Sequence, residues 1–313
     1  MCSTRWSTRE CACGDAREPA TSTVHPGALQ VTWLMRLRSD AAAVIGLLVI
    51  TATVLTAVFA PILSPADPIK NQLLERLTPP MWVAGGTARH PLGTDTLGRD
   101  VTSRLLYGAR VSLVVGVSAV VIAGLVGVVL GLLAGYYRGW LDDVLMRIGD
   151  VQLAFPVLVL AIALLAVAGA SLLTVVLVLG VTGWITYARI VRGETLSLAA
   201  RDFVEAARAM GAPDRHVIWR HIVPNVLPPV TVVATFSVAR VVIAEASLSF
   251  LGLGIPPPAP SWGAMLDEGR NYLTTGWWLA LFPGLAILFL VLGINLVGDW
   301  LRDALDPRLE RGM

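Results

Sequence analysis

Long apolar runs alternate with short polar segments along this chain. Six runs reach the length of about 20 residues that a helix needs to cross a bilayer. They cover residues 41–63, 110–135, 147–168, 171–190, 227–251 and 279–301. The pattern therefore predicts an all-α membrane protein with six transmembrane helices.

The polar segments divide the chain into four parts. Residues 1–28 are rich in Ser, Thr, Pro and charge, which predicts a disordered extension. Residues 29–109 hold the first span and a long loop, and residues 110–301 hold the other five spans together with the polar segment 191–226. Residues 302–313 form a terminal tail.

Two spans carry residues with a specific structural meaning. Gly127, Gly131 and Gly135 lie at intervals of four in the second span. Such a ridge lets another helix approach closely, and that helix can belong to this chain or to a partner in a dimer. Pro156 lies inside the third span, where neighbouring helices make a proline tolerable. The third span is therefore predicted as one helix.

Composition and charge support the membrane assignment and indicate its orientation. Hydrophobic residues make up 55% of the chain and charged residues 15%, whereas a soluble domain has about 25% charged residues. With the N-terminus inside, the inside segments carry sixteen basic residues and the outside segments seven. Because basic residues favour the cytoplasmic side, both termini and the 191–226 segment are predicted to be cytoplasmic. The net charge of +2 argues nothing about nucleic acid, and no nucleic-acid partner is predicted.

The sequence lacks the motifs of several catalytic sites. Lys70 is the single lysine and no glycine-rich P-loop precedes it, so the chain is not expected to hydrolyse ATP by that route. The four histidines lack metalloprotease spacing. All three cysteines lie within the first 13 residues, so no disulfide framework is predicted, and a solvated tail explains their Cys-Ala-Cys better than a metal site. No catalytic residue, cofactor or metal ion is predicted for this chain.

Residues 203–224 form a polar, Arg-rich insert in an otherwise apolar chain. A first short helix is predicted to end at Gly211, because glycine suits the left-handed conformation that terminates helices. Pro213 and Asp214 suit the first turn of a second helix, and Pro224 is predicted to break the chain before the fifth span. The insert is therefore predicted to be a stiff helix–turn–helix knob that can transmit a push, with an ordinary amphipathic linker as the alternative.

The insert resembles the Glu-Ala-Ala loop of ATP-binding-cassette importer permeases. The family pattern is Glu-Ala-Ala, three residues, Gly, nine residues and Ile-x-Leu-Pro. The matching positions are Glu205, Ala206, Ala207, Gly211 and Pro224, with His221 in the Ile position and Val223 in the Leu position. Histidine at that position is typical of the peptide-permease branch. The resemblance implies that these residues couple the permease to an ATPase, whose surface the small Ala side chains would allow to approach closely.

Further segments are similar to the same branch, and the resemblance covers about residues 30–310. These segments are His90–Asp95, Leu97–Asp100, Tyr107–Arg110, Glu245–Gly254 and Gly298–Arg308. The chain looks like the C-type permease subunit of dipeptide and oligopeptide importers. This implies a type I importer fold in the plasma (inner) membrane, a B-type permease partner, two ATPase subunits that hold ATP and Mg, and an extracytoplasmic solute-binding protein.

Two charged residues lie inside the fifth span and need partners, because a charge at mid-bilayer costs about 2.5–3.5 kcal/mol. Arg240 and Glu245 are five residues apart, which is about 140° around a helix, so direct pairing is not expected. Either they face the translocation path, with Ser247 and Asp150 as further candidates, or they pair with other spans or with the partner permease. Asp150 is also three residues from Arg147, which predicts a local ion pair.

The leading interpretation is ATP-driven import of peptides. Similar chains of the same family import nickel, haem, glutathione and other small solutes, and the permease sequence discriminates poorly between them. A secondary transporter would show inverted repeats with broken helices, which the sequence does not display. A membrane scaffold without transport would leave the intramembrane Arg240 and Glu245 unexplained.

Overall fold

The computed structural model describes residues 40–305, in which the named elements are all helical. The helices are α1 (Ala41–Leu63), α2 (Val101–Tyr137), α3 (Gly139–Leu153), α4 (Val157–Ala168), α5 (Leu172–Ala199), α6 (Asp202–Ala209), α7 (Asp214–Val217), α8 (Val223–Phe250), α9 (Trp262–Gly269) and α10 (Trp278–Leu305). The predicted disordered segment 1–28 and most of the predicted tail 302–313 lie outside the described residues.

The number of helices that can span a membrane agrees with the predicted fold class. Within residues 40–305, five helical stretches are long and apolar enough to cross a bilayer, and the bent pair of α3 and α4 makes six if it is counted as one span. One of the five stretches runs from Asp214 to Phe250 and so joins α7 and α8. The all-α membrane fold is confirmed.

The third span differs from its prediction. Helices α3 and α4 meet at an angle of 90° around Pro156, which lies immediately before the first residue of α4. Proline has no N–H and disfavours a helical conformation at the preceding residue. The prediction of one continuous helix over 147–168 is therefore wrong, and the helical segment begins earlier, at Gly139.

Helix α2 is the central element of the bundle and packs along α5 and against α8. It begins at Val101, nine residues before the predicted apolar run, because the side chain of Asp100 accepts a hydrogen bond from the N–H of Ser103 and caps the helix. With 37 residues it is about 55 Å long. Its two ends therefore contact two different groups of loops.

The glycine ridge of α2 packs inside this chain. A Cβ atom at Gly127 would lie 2.5 Å from the carbonyl oxygen of Trp184, and one at Gly131 would lie 2.6 Å from that of Ala188. Both oxygens belong to α5, so only glycine permits the observed approach of the two backbones. Of the two interpretations of the ridge, packing within the chain is confirmed. A similar close approach joins α1 to α10 at Gly46.

Candidate functional site

The first helix of the insert 203–224 ends as predicted. Gly211 has φ +84°, the left-handed conformation that glycine adopts readily. Its N–H donates to the carbonyl oxygen of Arg208 at 2.9 Å, and the N–H of Ala212 donates to that of Ala207 at 3.1 Å. These two bonds form a Schellman motif, which fixes the direction of the chain after α6.

The second part of the insert is not separated from the membrane helix. Residues Ile218–Ile222 form a π-helical turn between α7 and α8, in which the N–H of Val223 donates to the carbonyl oxygen of Ile218, five residues earlier. Such a turn inserts one extra residue into the helix. The extra residue makes room for Pro224, the second residue of α8. The prediction that Pro224 breaks the chain is therefore wrong, and the helix continues to Phe250.

An apolar core holds the insert against the bundle. Val204 and Ala207 of α6 are 0% and 5% exposed, and they pack with Val217 and Ile222 against Tyr136 at the end of α2. The Tyr136 hydroxyl donates to Asp214 Oδ1 at 2.7 Å. The Arg208 guanidinium lies 5.0 Å from the centre of the Tyr136 ring, a cation–π distance. The insert is therefore a packed part of the bundle, as a stiff knob requires.

The Glu-Ala-Ala residues do not all face outwards. Glu205 and Ala206 are exposed, whereas Ala207 is buried in the core of the insert itself. The expectation that Ala207 lies at a partner surface is therefore wrong. Successive helical residues are about 100° apart, so three in a row cannot share one narrow face.

Three large apolar side chains are exposed on the insert, and sequence reasoning missed them. Phe203 is 42% exposed, Met210 83% and Trp219 72%. His221, half-buried, has its ring 6.0 Å from that of Phe203, and Pro224 is exposed nearby in the chain. The signal available in the sequence was the presence of large apolar residues in a polar segment. Such residues indicate a contact surface when they are exposed to water.

The four candidates for the translocation path do not form one cluster. Arg240 and Ser247 line the same groove, whose walls are formed by α2, α4, α5 and α8. Glu245 is 0% exposed and its Oε1 accepts a hydrogen bond from Ser249 Oγ at 2.7 Å. Arg240 instead donates to Ser237 Oγ at 2.9 Å, so the prediction that Arg240 and Glu245 do not pair directly is confirmed.

Asp150, the fourth candidate, pairs with Arg189 of α5. The prediction of a local pair with Arg147 is therefore wrong. Gln152 fixes α3 on α5, since its Nε2 donates to the carbonyl oxygen of Thr182 at 2.6 Å and its Oε1 accepts from Trp184 Nε1 at 2.8 Å. This packing brings Arg189 beside Asp150. An ion-pair partner on another helix cannot be inferred from spacing along the chain.

A second polar site, which we call the ion cluster, lies at the other end of α2. It consists of Asp95, Arg99, Arg104 and Glu268. Arg99 Nε donates to Asp95 Oδ2 at 2.7 Å and its Nη2 to Glu268 Oε2 at 2.9 Å. Arg104 bonds both acids, with Nη2 2.9 Å from Glu268 Oε1. The cluster ties the 64–100 loop to α9, which sequence reasoning did not foresee.

His90 extends these contacts within the loop. Its side chain is buried, with Nδ1 2.9 Å from Asp100 Oδ1 and Nε2 2.9 Å from Glu75 Oε2. The hydrogen bond that Glu75 accepts from His90 holds the pKa of that carboxyl below its ordinary value of 4.5. Residues 90–100, which carried part of the family resemblance, are therefore a structural element of this loop.

The geometry defines a helical membrane protein with a rigid polar insert, and comparison with known proteins identifies its class. Residues 127–311 match the family model described as "Binding-protein-dependent transport system inner membrane component", and residues 28–80 match "N-terminal TM domain of oligopeptide transport permease C". The chain therefore belongs to the family of binding-protein-dependent transport system inner membrane components. It is a multi-pass inner-membrane protein.

The similar proteins narrow this class to the C-type dipeptide and oligopeptide permeases. The di/tripeptide transport system permease protein DppC of Pseudomonas aeruginosa is 43% identical over 92% of this chain and 95% of that protein. The oligopeptide transport system permease protein OppC of Bacillus subtilis is 40% identical over 89% of each. The glutathione transport system permease protein GsiD of Pectobacterium atrosepticum is 43% identical over 89% of this chain and 90% of that protein.

A solved structure has the same fold. One chain of the MetNI methionine ABC transporter, determined in inward-facing conformations, superposes with a TM-score of 0.52 at 19% sequence identity. The match covers 65% of this chain and 96% of that one. At this identity the likeness concerns the fold, and it agrees with a type I importer permease.

Proposed function

We propose that this chain is the C-type membrane subunit of an importer that moves di- and oligopeptides into the cytoplasm, with the insert 203–224 as the docking surface for an ATPase subunit. In this proposal the complete importer also contains a B-type permease, a second ATPase subunit and an extracytoplasmic solute-binding protein. ATP and Mg bind to the ATPase subunits. The excess of basic residues on the side of the termini and the insert supports a cytoplasmic position for both.

One observation carries the coupling role, namely the continuous helix from Asp214 to Phe250. Its first residues belong to the insert, and Arg240, about 39 Å further along the same helix, lines the groove inside the bundle. A helix without a break transmits displacement along its axis, whereas a flexible linker would absorb it. A movement imposed on the insert would therefore reach the groove.

The exposed face of the insert has the composition of a protein contact. It combines Phe203, Met210 and Trp219 with charged neighbours such as Glu205 and Arg215. Aromatic residues and methionine are enriched where proteins bind each other. The buried core below this face keeps its geometry fixed before a partner binds, which reduces the entropy lost on association.

Glutathione is the second candidate substrate, because a glutathione permease is as similar to this chain as the di/tripeptide permease is. Nickel and haem are further alternatives within the family. Glutathione is itself a modified tripeptide, so both candidates need a path for a small polar molecule with free carboxylates. Competition between labelled dipeptide and glutathione for uptake by the complete importer distinguishes them.

The coupling role is tested by replacing Gly211 in the complete importer reconstituted in proteoliposomes. Proline fixes φ near −65° and lacks the N–H that Arg208 accepts, so Gly211→Pro destroys the Schellman motif. We expect ATP-dependent peptide uptake to fall to background while ATP hydrolysis and membrane insertion persist. Gly211→Asn is the matched control, because asparagine tolerates left-handed φ. Normal uptake by the proline variant would contradict the coupling role.

The same proteoliposomes also test the alternative that the protein is a secondary transporter driven by an ion gradient. Omitting the ATPase subunits should abolish uptake if ATP is the energy source. Uptake that persists without them would overturn the proposal and favour a secondary transporter.

A further inference from the structure

The groove between α2, α4, α5 and α8 contains a charge that no acid among the described residues neutralises. Its volume is 320 Å³, and its walls are apolar apart from a few hydroxyl groups and one guanidinium. Within the described residues, Arg240 is the single charged side chain that lines it. Arg240 lies ten residues before the end of α8 at Phe250, which is about 15 Å into the span.

Arg240 has no acidic partner in the part of the chain that the structure describes. Its Nη2 donates to the neutral Ser237 Oγ at 2.9 Å. Glu245, the nearest acid on the same helix, bonds Ser249 instead. A guanidinium in an apolar groove is stabilised by an anion, and it fits a carboxylate best because its planar donors match the two oxygens.

A second donor without a partner lies beside Arg240. The side chain of Tyr187 lines the groove and is 2% exposed, and its hydroxyl lies close to Ser237 and Arg240. Ser237 is close enough to interact with this hydroxyl, but no hydrogen bond of acceptable geometry reaches it from the described residues. Buried polar groups in proteins are nearly always bonded. Both donors therefore lie in the same groove, and neither has an anionic acceptor among the described residues.

We propose that Arg240 and Tyr187 bind the C-terminal carboxylate of the peptide during its passage through the groove. This inference rests on the proposed function. The C-terminal carboxylate is the one anionic group that linear peptides share whatever their side chains. A site that binds this carboxylate, and whose apolar walls make no other specific contact, accepts many peptides and rejects molecules without a carboxylate.

The test compares two probes in the complete importer, trialanine and trialanine amide. The amide lacks the negative charge and otherwise has the same size and backbone. Uptake of each is measured for the wild-type chain and for Arg240→Gln, and the acid-to-amide ratio is calculated. The preference of the solute-binding protein is the same in both measurements and cancels when the two ratios are divided.

We expect the acid-to-amide ratio to fall about tenfold in Arg240→Gln, the size typical of a lost hydrogen bond to a charged group. Arg240→Lys should restore part of the ratio, because it keeps the charge without the fork of donors. Tyr187→Phe should lower the ratio by a smaller factor. Arg147→Gln is the matched control, since Arg147 is exposed on α3 outside the groove and its loss should leave the ratio unchanged.

Two results would overturn the proposal. Equal loss of both probes in Arg240→Gln and in Tyr187→Phe would mean that these groups bind an acidic residue of a partner subunit or hold the bundle together. Unchanged uptake of both probes would mean that neither residue contacts the peptide. Failure of the proposed function is seen separately, as absence of ATP-dependent trialanine uptake by the wild-type importer.

Discussion

The insert and the ion cluster lie at opposite ends of α2 and use their charged side chains in opposite ways. Tyr136 anchors the insert at one end, and Arg104 belongs to the ion cluster about 48 Å away at the other. The ion cluster buries its charges in pairs within the chain. The insert is held by apolar contacts, and its charged and aromatic side chains remain exposed.

This difference indicates which end of α2 has its charged groups paired within the single chain and which end presents them to a partner protein. Charges that are paired internally hold loops together and leave little for a partner to bind. Apart from Arg208 and Asp214, which contact Tyr136, the exposed aromatic and charged residues of the insert are available to a partner, and exposed apolar groups of this kind indicate a contact surface. The comparison predicts that mutations at the ion cluster lower stability, whereas mutations on the face of the insert alter coupling at constant stability.

The largest effect is expected from Arg104→Met. Arg104 is 4% exposed and contacts Asp95 and Glu268, so its removal leaves the buried Asp95 and the partly buried Glu268 with Arg99 as their one remaining counter-charge in the cluster. Breaking a buried pair in this way costs about 3–5 kcal/mol. Thermal unfolding in detergent should show this loss, with faster proteolysis of the 64–100 loop.

Arg89→Met is the control for this variant. Its ion pair with Glu75 is exposed, with 66% of the Arg89 side chain accessible, and exposed pairs contribute little to stability. Equal destabilisation by the two substitutions would contradict the distinction between buried and exposed charges in this loop.

A smaller effect is expected inside the insert, where two adjacent alanines provide a matched pair. Ala207→Leu forces a larger side chain into the core beside Val204, and overpacking of this kind costs about 1–3 kcal/mol. Ala206→Leu adds the same atoms on the exposed face and should leave stability unchanged while lowering peptide uptake. Unfolding and uptake are measured on the same preparations. Equal behaviour of the two variants would show that the insert has no distinct inner and outer face.

The smallest effect concerns pH and the Glu75 carboxyl. The hydrogen bond from His90 lowers the pKa of the Glu75 carboxyl in the folded chain below its ordinary value of 4.5. The ionised carboxyl therefore stabilises the fold above pH 4.5, and this contribution is lost as the pH falls through the lower pKa of the folded chain. Amide exchange in residues 90–100 should therefore accelerate below that pH in the wild type more than in Glu75→Gln. Parallel pH profiles for the two proteins would exclude this role.

Much of the fold could be predicted because the membrane imposes it on the sequence. Apolar runs of sufficient length must be helical, and Gly211 ends a helix through its own conformation and two local hydrogen bonds. The errors arose where the outcome depends on another element. From the sequence Pro224 looked like a helix break, but the helix continues through the π-helical turn before it. Asp150 looked like a partner of Arg147, but helix α5 brings Arg189 beside it.

The features of the candidate site likewise divide into those that the sequence determined and those that the tertiary structure decided. The sequence by itself determined the number of apolar segments, the position of the insert and its Glu-Ala-Ala pattern, because these depend on residues close together in the chain. Tertiary structure alone decided that Ala207 faces inwards, that Arg240 meets Tyr187 in a groove, and that Arg104 meets Glu268. These contacts join residues far apart in the chain, and their energies depend on burial and distance, which exist only once the helices have packed.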